Sequence, residues 1–520
     1  MFVPLTPLRF LHRAAGLFGS RIGMVCGERE FTYAELKVRA ERLAIGLTKL
    51  GIAPGDRVAY LSFNVHQLYE GYYGVPQARA ILLPLNVRLS EPELAAILRH
   101  AGARAILFED EFAPLVERLR GSCPSLEFAI NIDRDYEAML ASGHEEQADI
   151  FSYDELAIAE LFYTSGSTGA PKGVALSHRT LYLHALDYAL QYRQAETMID
   201  LQTIPFYHAN GWGRPQASTM LGTRQILVRR FEPEHVFELI QRHRGTDMCL
   251  VPTMANALLN SPVREMYDLS SLRHINMGGA ANSPELVKRI EDAFGCECST
   301  GYGLTETTPV ITHTEPKGSA VRLPDDERHV RQSKTGWPLP GMTLRVVDAE
   351  LQDVPKDGIS VGEIVAMGDH VMDGYFGEPA ATQAVFSGNW FHTGDMATWE
   401  PDNYINIVDR KKQIIISGGE NVSSIEVENA IAAHPAVVEC AVVAAPDERW
   451  GEVPAAIVVL RSALTKDELI EFLTPRLAKF KLPKIVEFSA QPLPKTGTGK
   501  IRKMELREKF WVGQKTRVHG

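Results

Sequence analysis

The chain of 520 residues is 45% apolar and carries 54 Lys and Arg against 65 Asp and Glu, a formal net charge of −11. At roughly 100–200 residues per domain this excludes a peptide-sized scaffold and a disordered chain and gives three or four domain-sized units. From Arg476 to Arg517 twelve Lys and Arg stand against three Glu, so a basic end closes an acidic body; a general nucleic-acid binder, which needs a broad cationic face, is excluded.

In chain order, Pro4, Pro7, Arg9 and Arg13 interrupt any signal-peptide core, and no uncharged apolar run is long enough to span a membrane. Thr32-Tyr33-Ala34-Glu35 reads as a capping box opening a helix with Leu36, Ala40, Leu43, Leu47 and Leu50 on one face and Gly51 as its stop. A strand follows over Arg57 to Ser62, then a helix opened by Ser90-Glu91-Pro92-Glu93 and ended by Gly102, and a buried strand over Ala105 to Phe108. Strands alternating with helices imply α/β layers with parallel pairing. The apolar run Ile158 to Phe162 leads into a Gly/Ser/Thr loop, a helix starts near Ser177, and Ile275 to Met277 is another buried strand. From Gly341 the texture changes to short strands, Thr343 to Val347 and Gly362 to Ala366. After Asp409 come strands Ile414 to Ile416, Val437 to Ala444 and Ala455 to Leu460, with helices near Ile425 to Ala433 and Lys466 to Lys479. The boundary is placed at Asp409 to Lys412. Six scattered cysteines lack zinc-site spacing and read as reduced thiols, and a cytoplasmic protein is expected.

The strongest local signal is Tyr163-Thr164-Ser165-Gly166-Ser167-Thr168-Gly169-Ala170-Pro171-Lys172-Gly173. Hydroxyls, unobstructed backbone N–H groups and one lysine in a small volume suit a polyphosphate. It is not a Walker A loop, and no G-x-G-x-x-G occurs, so P-loop and Rossmann readings lose their support. Gly278-Gly279-Ala280 after a buried strand leaves room for a flat ring, and Tyr302 offers an aromatic face to stack on it. Glu306 is a hard oxygen ligand suited to Mg²⁺. The glycines of Thr496-Gly497-Thr498-Gly499-Lys500 suit a lysine that arrives for one step only.

Taken in order, Thr164 to Gly173, Tyr302-Gly303-Leu304-Thr305-Glu306, Thr393-Gly394-Asp395, Asp409-Arg410-Lys411-Lys412 with Ser417-Gly418-Gly419-Glu420-Asn421, and Pro494 to Lys500 resemble the landmarks of the adenylate-forming superfamily over residues 8–510. That superfamily comprises acyl-CoA synthetases, adenylation domains and luciferases, and the likeness is strongest to medium- and long-chain fatty acyl-CoA synthetases. The resemblance implies an α/β N-terminal domain with a β-rich subdomain (residues 1–409) and a small mobile α+β C-terminal domain (410–520), hinged near 409–412. It implies a two-step ligase that uses ATP and Mg²⁺ to form acyl-AMP and pyrophosphate, then transfers the acyl group to coenzyme A with release of AMP. The alternatives are an enzyme loading a carrier protein and a luciferase-like oxidoreductase.

By the same resemblance ATP and AMP would meet Thr164, Ser165, Gly166, Ser167, Thr168, Gly169, Lys172, Gly279, Ala280, Gly301, Tyr302, Gly303 and Thr305, with Asp395 and Arg410 on the ribose. Thr168 and Glu306 would hold Mg²⁺. Lys500 would bridge the carboxylate and the α-phosphate, with His208 positioning the acid. Tyr207, His208, Trp212, Gly213, Met277, Gly278 and Val310 would line the acyl pocket, whose apolar character suits a medium or long chain. Lys412 would be the hinge, and Ser417, Gly418, Gly419 and Glu420 would line the CoA path. Arg214 departs from the apolar residue usual there; it reads as facing solvent, or else as meeting a second carboxylate. Partners are the acid, ATP and CoA, without nucleic acid or membrane span; a homodimer is the oligomer admitted.

Overall fold

The computed structural model describes residues 3–143, 149–164, 171–315, 323–411, 413–417, 420–447, 449–495 and 501–512. Among them lie four sheets. A seven-stranded sheet takes, in spatial order, Gly374–Tyr375, Lys172–Ser177, Ile158–Thr164, Ile81–Pro84, Arg57–Leu61, Ala103–Phe108 and Phe128–Asn131. Its last five strands pair in parallel, and the first two join antiparallel through Ile158–Thr164. Because strand side chains alternate, this sheet is apolar on both faces. Val58, Tyr60, Leu82, Leu107, Phe162 and Val174 enter one core, while Ala59, Leu61, Leu83, Ile106, Leu161 and Ala175 enter another under helices Glu91–Ala101 and Ala113–Ser122.

A nine-stranded sheet has Asp247–Leu250, His274–Met277, Glu297–Gly303, Ile199–Gln202, Arg224–Leu227 and Ile22–Cys26 in parallel at its centre. Its two faces are unlike. Leu201, Ile226, Met248, Leu250, Ile275 and Met277 pack in an apolar core with helices Pro233–His243, Pro252–Leu259 and Pro284–Phe294. The alternate residues Asp200, Gln202, Gln225, Cys249, Asn276 and Ser299 form a buried polar face.

The capping boxes sit where the sequence places them. Glu35 accepts from the Thr32 N–H at 2.7 Å and opens helix Tyr33–Lys49, and Glu93 accepts from the Ser90 N–H at 2.7 Å at the start of Glu91–Ala101. The helix expected over Lys466 to Lys479 is shorter, Lys466–Leu473, followed by a 3₁₀ turn at Lys479–Lys481. Thr474 keeps helical φ and ψ as the C-cap, its N–H donating to the Ile470 carbonyl at 2.9 Å, but Pro475 has no N–H to continue the ladder, so the helix stops there.

A five-stranded antiparallel sheet built on Val361–Gly368 and Trp390–Trp399 ends in Ile405–Arg410. The last sheet begins at Ile415–Ser417 and is centred on Gly451–Leu460, with Val437–Asp447 and Ile485–Ser489 on either side. The fold is thus α/β, a large N-terminal assembly with a smaller α+β C-terminal part. Much of the basic end is neutralised within that part: Lys481 meets Glu426 at 2.7 Å, Lys495 Glu439 at 2.5 Å, Lys503 Glu428 at 2.8 Å and Arg507 Glu452 at 3.1 Å. Among the described residues no helix is long and apolar enough to cross a membrane.

Buried histidines give the fold a pH dependence. His178 opens helix His178–Gln191, with its Nδ1 2.8 Å from the Thr6 hydroxyl, and burial pulls its imidazole down to about 4, with Asp154 opposing and Arg79 assisting. Below pH 6.5 the unfolded chain takes up a proton that the folded chain refuses. The contribution is therefore complete above 6.5 and is lost as pH falls toward 4, up to about 3 kcal/mol from this residue. Urea melts should show His178→Gln losing less stability than the parent between pH 7 and pH 4.5.

Candidate functional site

Open parallel sheets offer ligands a crevice at the carboxyl ends of their strands, and of the described landmark residues Lys172, Tyr302, Glu306, Asp395 and Arg410 gather at that end of the nine-stranded sheet. Strand Glu297–Gly303 runs parallel to His274–Met277, then pairs antiparallel with Val310–His313 through a register shift at Tyr302/Gly303. That shift brings Gly301, Tyr302 and Gly303 to the crevice beside the 3₁₀ turn Thr305–Thr307, whose Thr305 carbonyl accepts from the Thr308 N–H at 3.2 Å. Gly279 and Ala280 follow strand His274–Met277 directly, Ala280 exposed.

On one side stands a hydrogen-bonded trio. Asp395 and Arg410 are direct partners across strands Trp390–Trp399 and Ile405–Arg410, and Arg410 Nε lies 2.9 Å from Asp395 Oδ1. The Tyr302 hydroxyl donates to Asp395 Oδ2 at 2.7 Å. Burial, then the carboxylate beside it, pushes the Tyr302 phenol well up, so it stays a donor. The buried Asp395 is positioned by its own N–H, which donates to Thr393 Oγ1 at 3.1 Å. A carboxylate fixed next to an aromatic ring suits a base stacked on the ring with its sugar hydroxyls on the acid.

On another side Glu306, Tyr375 and Lys172 converge. The Tyr375 hydroxyl donates to Glu306 Oε1 at 3.0 Å, and the Met372 N–H donates to the Glu306 carbonyl at 2.8 Å. Lys172 Nζ lies 4.7 Å from the centre of the Tyr375 ring, a cation–π contact. Thr164 and Lys172 face each other across the hairpin that joins Ile158–Thr164 to Lys172–Ser177. Ser165, Gly166, Ser167, Thr168 and Gly169 lie outside the described residues. The second oxygen of Glu306 has no hydrogen-bond partner among the described residues, which fits a Mg²⁺ ion held by one carboxylate together with substrate phosphates. Tyr375 is missing from the sequence reading: it sits beside Lys172 only because strand Gly374–Tyr375 pairs with Val174 and Ala175, and no local spacing announces that.

The third side is apolar. Ala209, Asn210, Gly211, Trp212 and Gly213 follow His208 in a left-handed turn, with φ of 44°, 57°, 52°, 61° and 75°. Left-handed non-glycine residues cost about 1–2 kcal/mol each, so something must hold them. Asn210 Nδ2 donates to Gln216 Oε1 at 3.3 Å, and Gln216 Nε2 donates to the fully buried Glu160 at 2.7 Å. Only glycine fits at 213, where a Cβ would stand 2.3 Å from the His184 ring. The turn seats the buried Trp212 against Gly278, where a Cβ would meet its ring at 3.0 Å and the Gly301 carbonyl at 3.1 Å. Val310 joins the same core as Trp212, and Tyr207 is buried. His208 is half-buried, and its N–H donates to the Pro205 carbonyl at 2.9 Å.

Two expectations on this side are corrected. Met277 does not join Trp212 and Gly278: strand alternation turns it to the opposite, apolar face, among Leu250, Ile275 and Val287. Arg214 neither faces solvent nor waits for a substrate carboxylate. It is 2% exposed and forms a two-pronged ion pair with the 0% exposed Asp200, through Nη2 to Oδ1 and Nε to Oδ2 at 3.1 Å.

In the C-terminal part Ser417 and Glu420 face each other across a hairpin, Ser417 buried and Glu420 exposed. Asp409, also buried, accepts from the Arg410 and Ser424 N–H groups, both at 2.7 Å, and so ties the end of strand Ile405–Arg410 to helix Ser424–Ala432. Lys412, Gly418, Gly419 and Lys500 lie outside the described residues, although Lys495 and Ile501, which flank the Lys500 motif, pair with each other.

Comparison with known proteins places this geometry. The profile of the AMP-binding enzyme family matches residues 11–376, and that of the AMP-binding enzyme C-terminal domain matches residues 426–500. The chain is 40% identical to a long-chain-fatty-acid–CoA ligase of Thermus thermophilus over 96% of this chain and 95% of that protein. It is 37% identical to a peroxisomal acetate/butyrate–CoA ligase of Arabidopsis thaliana over 98% and 95%. Among solved structures, an anthranilate CoA ligase in complex with anthranoyl-AMP superposes with a TM-score of 0.90 at 26% identity, covering 98% of both chains.

Proposed function

This chain belongs to the AMP-binding enzymes, and on that premise we propose that it is a carboxylic acid–CoA ligase that activates its acid as an acyl-adenylate and then passes the acyl group to coenzyme A. The observation that carries the reading is the convergence of Tyr302, Asp395 and Arg410 on one side with Glu306, Tyr375 and Lys172 on another, from segments spread between residues 172 and 410. One set of groups suits a nucleoside and the other a polyphosphate. Trp212, Gly278 and Val310 close the third side around an acyl group.

In the first step the carboxylate attacks the α-phosphorus of ATP and pyrophosphate leaves. Tyr302 stacks on the base, and Asp395, oriented by Tyr302 and Arg410, takes the ribose hydroxyls. Lys172 and residues 164–169 hold the phosphates, His208 positions the acid, and Lys500 neutralises charge between carboxylate and α-phosphate. Mg²⁺, held by Glu306 and Thr168, would supply further charge stabilisation on the phosphates. In the second step the thiol of CoA attacks the acyl carbon and AMP leaves. Residues 410–520 form the mobile domain, pivoting near 409–412 with Lys412 as hinge, so that Lys500 withdraws and Ser417 to Glu420 line the thiol's path. Support for CoA as acceptor comes from the CoA-ligase relatives matched along nearly their whole length.

The test is a pyrophosphate-release assay over a panel of acids, with and without CoA. The reading expects acid-dependent release of no more than about one equivalent per site without CoA, and sustained turnover with AMP release when CoA is added. Sustained turnover without CoA would contradict CoA as the acceptor.

A further inference from the structure

The polar face of the nine-stranded sheet runs directly beneath the acyl side of the site. Gly278, just past the carboxyl end of its strand, stands against Trp212 and the Gly301 carbonyl, and Gly301 stands against Tyr192 and Val310. Two residues deeper on the same face are Asn276 and Ser299, which are register partners, and Cys249 is the partner of Asn276 on the other side. All three are buried, and they are bonded to one another. Asn276 Nδ2 donates to Cys249 Sγ at 3.6 Å, Ser299 Oγ donates to Asn276 Oδ1 at 3.3 Å, and His274 Nε2 lies 2.7 Å from Ser299 Oγ.

The wall opposite closes onto this floor. Tyr188 and Tyr192 stack on each other with ring centres 4.2 Å apart, and a Cβ on Gly301 would lie 2.6 Å from the Tyr192 hydroxyl. Arg214 Nη1 donates to Cys249 Sγ at 3.2 Å and to the Tyr188 hydroxyl at 3.4 Å, while its other nitrogens are held by Asp200. Asp200 in turn accepts from Ser218 Oγ at 2.7 Å and Gln202 Nε2 at 2.9 Å, so the carboxylate is taken up by four donors and four of the five Arg214 N–H groups by protein acceptors. A long alkyl chain following this face would have to separate an ion pair and strip hydrogen bonds from buried groups, leaving them against methylenes.

We propose that the acyl pocket is short and floored by Asn276, Cys249, Ser299 and the Arg214–Asp200 pair, so that it takes acids of up to about six carbons: two residues of parallel strand at ~3.3 Å each span about five C–C bonds. This rests on the reading of the chain as an acid-activating ligase, and it replaces the medium or long chain that the lining residues alone suggest. The specificity-determining residue is Asn276, whose amide is the part of the floor nearest Gly278 along the strand.

The test measures kcat/KM for acid-dependent pyrophosphate release on straight-chain acids from C2 to C16, with the full chain and with Asn276→Ala. The expected profile peaks at C4 to C6 and falls at least a hundredfold by C12, and Asn276→Ala raises the C8 to C6 ratio about tenfold, the scale of one methylene in a fitted pocket. Should Asn276→Ala fail to fold, Ser299→Ala is read in its place against the same tenfold expectation. Activity on C12 to C16 within tenfold of C4 to C6, or an unchanged profile in the folded variant, overturns the short pocket while leaving acid activation intact. Failure of every acid to release pyrophosphate overturns the ligase reading itself.

Discussion

Lys500→Ala should lower acid-dependent pyrophosphate release by roughly 10²–10³-fold, the usual loss on removing one preorganised donor to developing charge. The same variant, supplied with synthetic acyl-adenylate and CoA, should form thioester within about threefold of the parent rate, because the lysine acts in the first step only. The split separates a catalytic lysine from one that supports the fold, which would depress both half-reactions together. The basic neighbours provide the control. Lys481, Lys495, Lys503 and Arg507 are held by Glu426, Glu439, Glu428 and Glu452. Their single replacement should change stability by about 1 kcal/mol or less for the more exposed pairs, with pyrophosphate release preserved.

Arg214→Ala should destabilise the fold by about 3–5 kcal/mol in urea melts, since it leaves the wholly buried Asp200 carboxylate without its guanidinium. Replacing both partners with apolar side chains of similar size, as in Asp200→Leu with Arg214→Met, should recover most of that loss, because neither desolvated charge remains. If the double variant is as unstable as Arg214→Ala, then the loss lies in packing of the arginine stem and not in an orphaned charge. Ser218 and Gln202 lose an acceptor in the double variant, which limits the recovery.

Local signals carried a large share of the fold. The capping boxes at Thr32 and Ser90, the stop at Gly102 and the apolar runs at Arg57 and Ile158 state their structure within a few residues, because caps and strand alternation are short-range. The candidate site was legible where a motif is contiguous: Tyr302 to Glu306 sit in one stretch, and Asp395 is met by Arg410 and Tyr302 as ring-and-carboxylate chemistry suggests. Tyr375 was hidden because its contact with Glu306 spans 69 residues and depends on an edge strand two residues long. Met277 was misplaced because a residue at the end of a strand can face either layer until register is known. The polar floor was equally hidden: Asp200, Cys249, Asn276 and Ser299 come from four strands, and each alone reads as an isolated polar residue in an apolar run.

Whether the chain makes an acyl-adenylate and hands it to CoA is read from a quenched single turnover with α-labelled ATP, a C4 to C6 acid and excess enzyme. Labelled acyl-adenylate should accumulate without CoA and convert quantitatively to AMP and acyl-CoA when CoA is added. Label appearing in ADP, with no acyl-adenylate trapped at any time, would contradict the adenylate route.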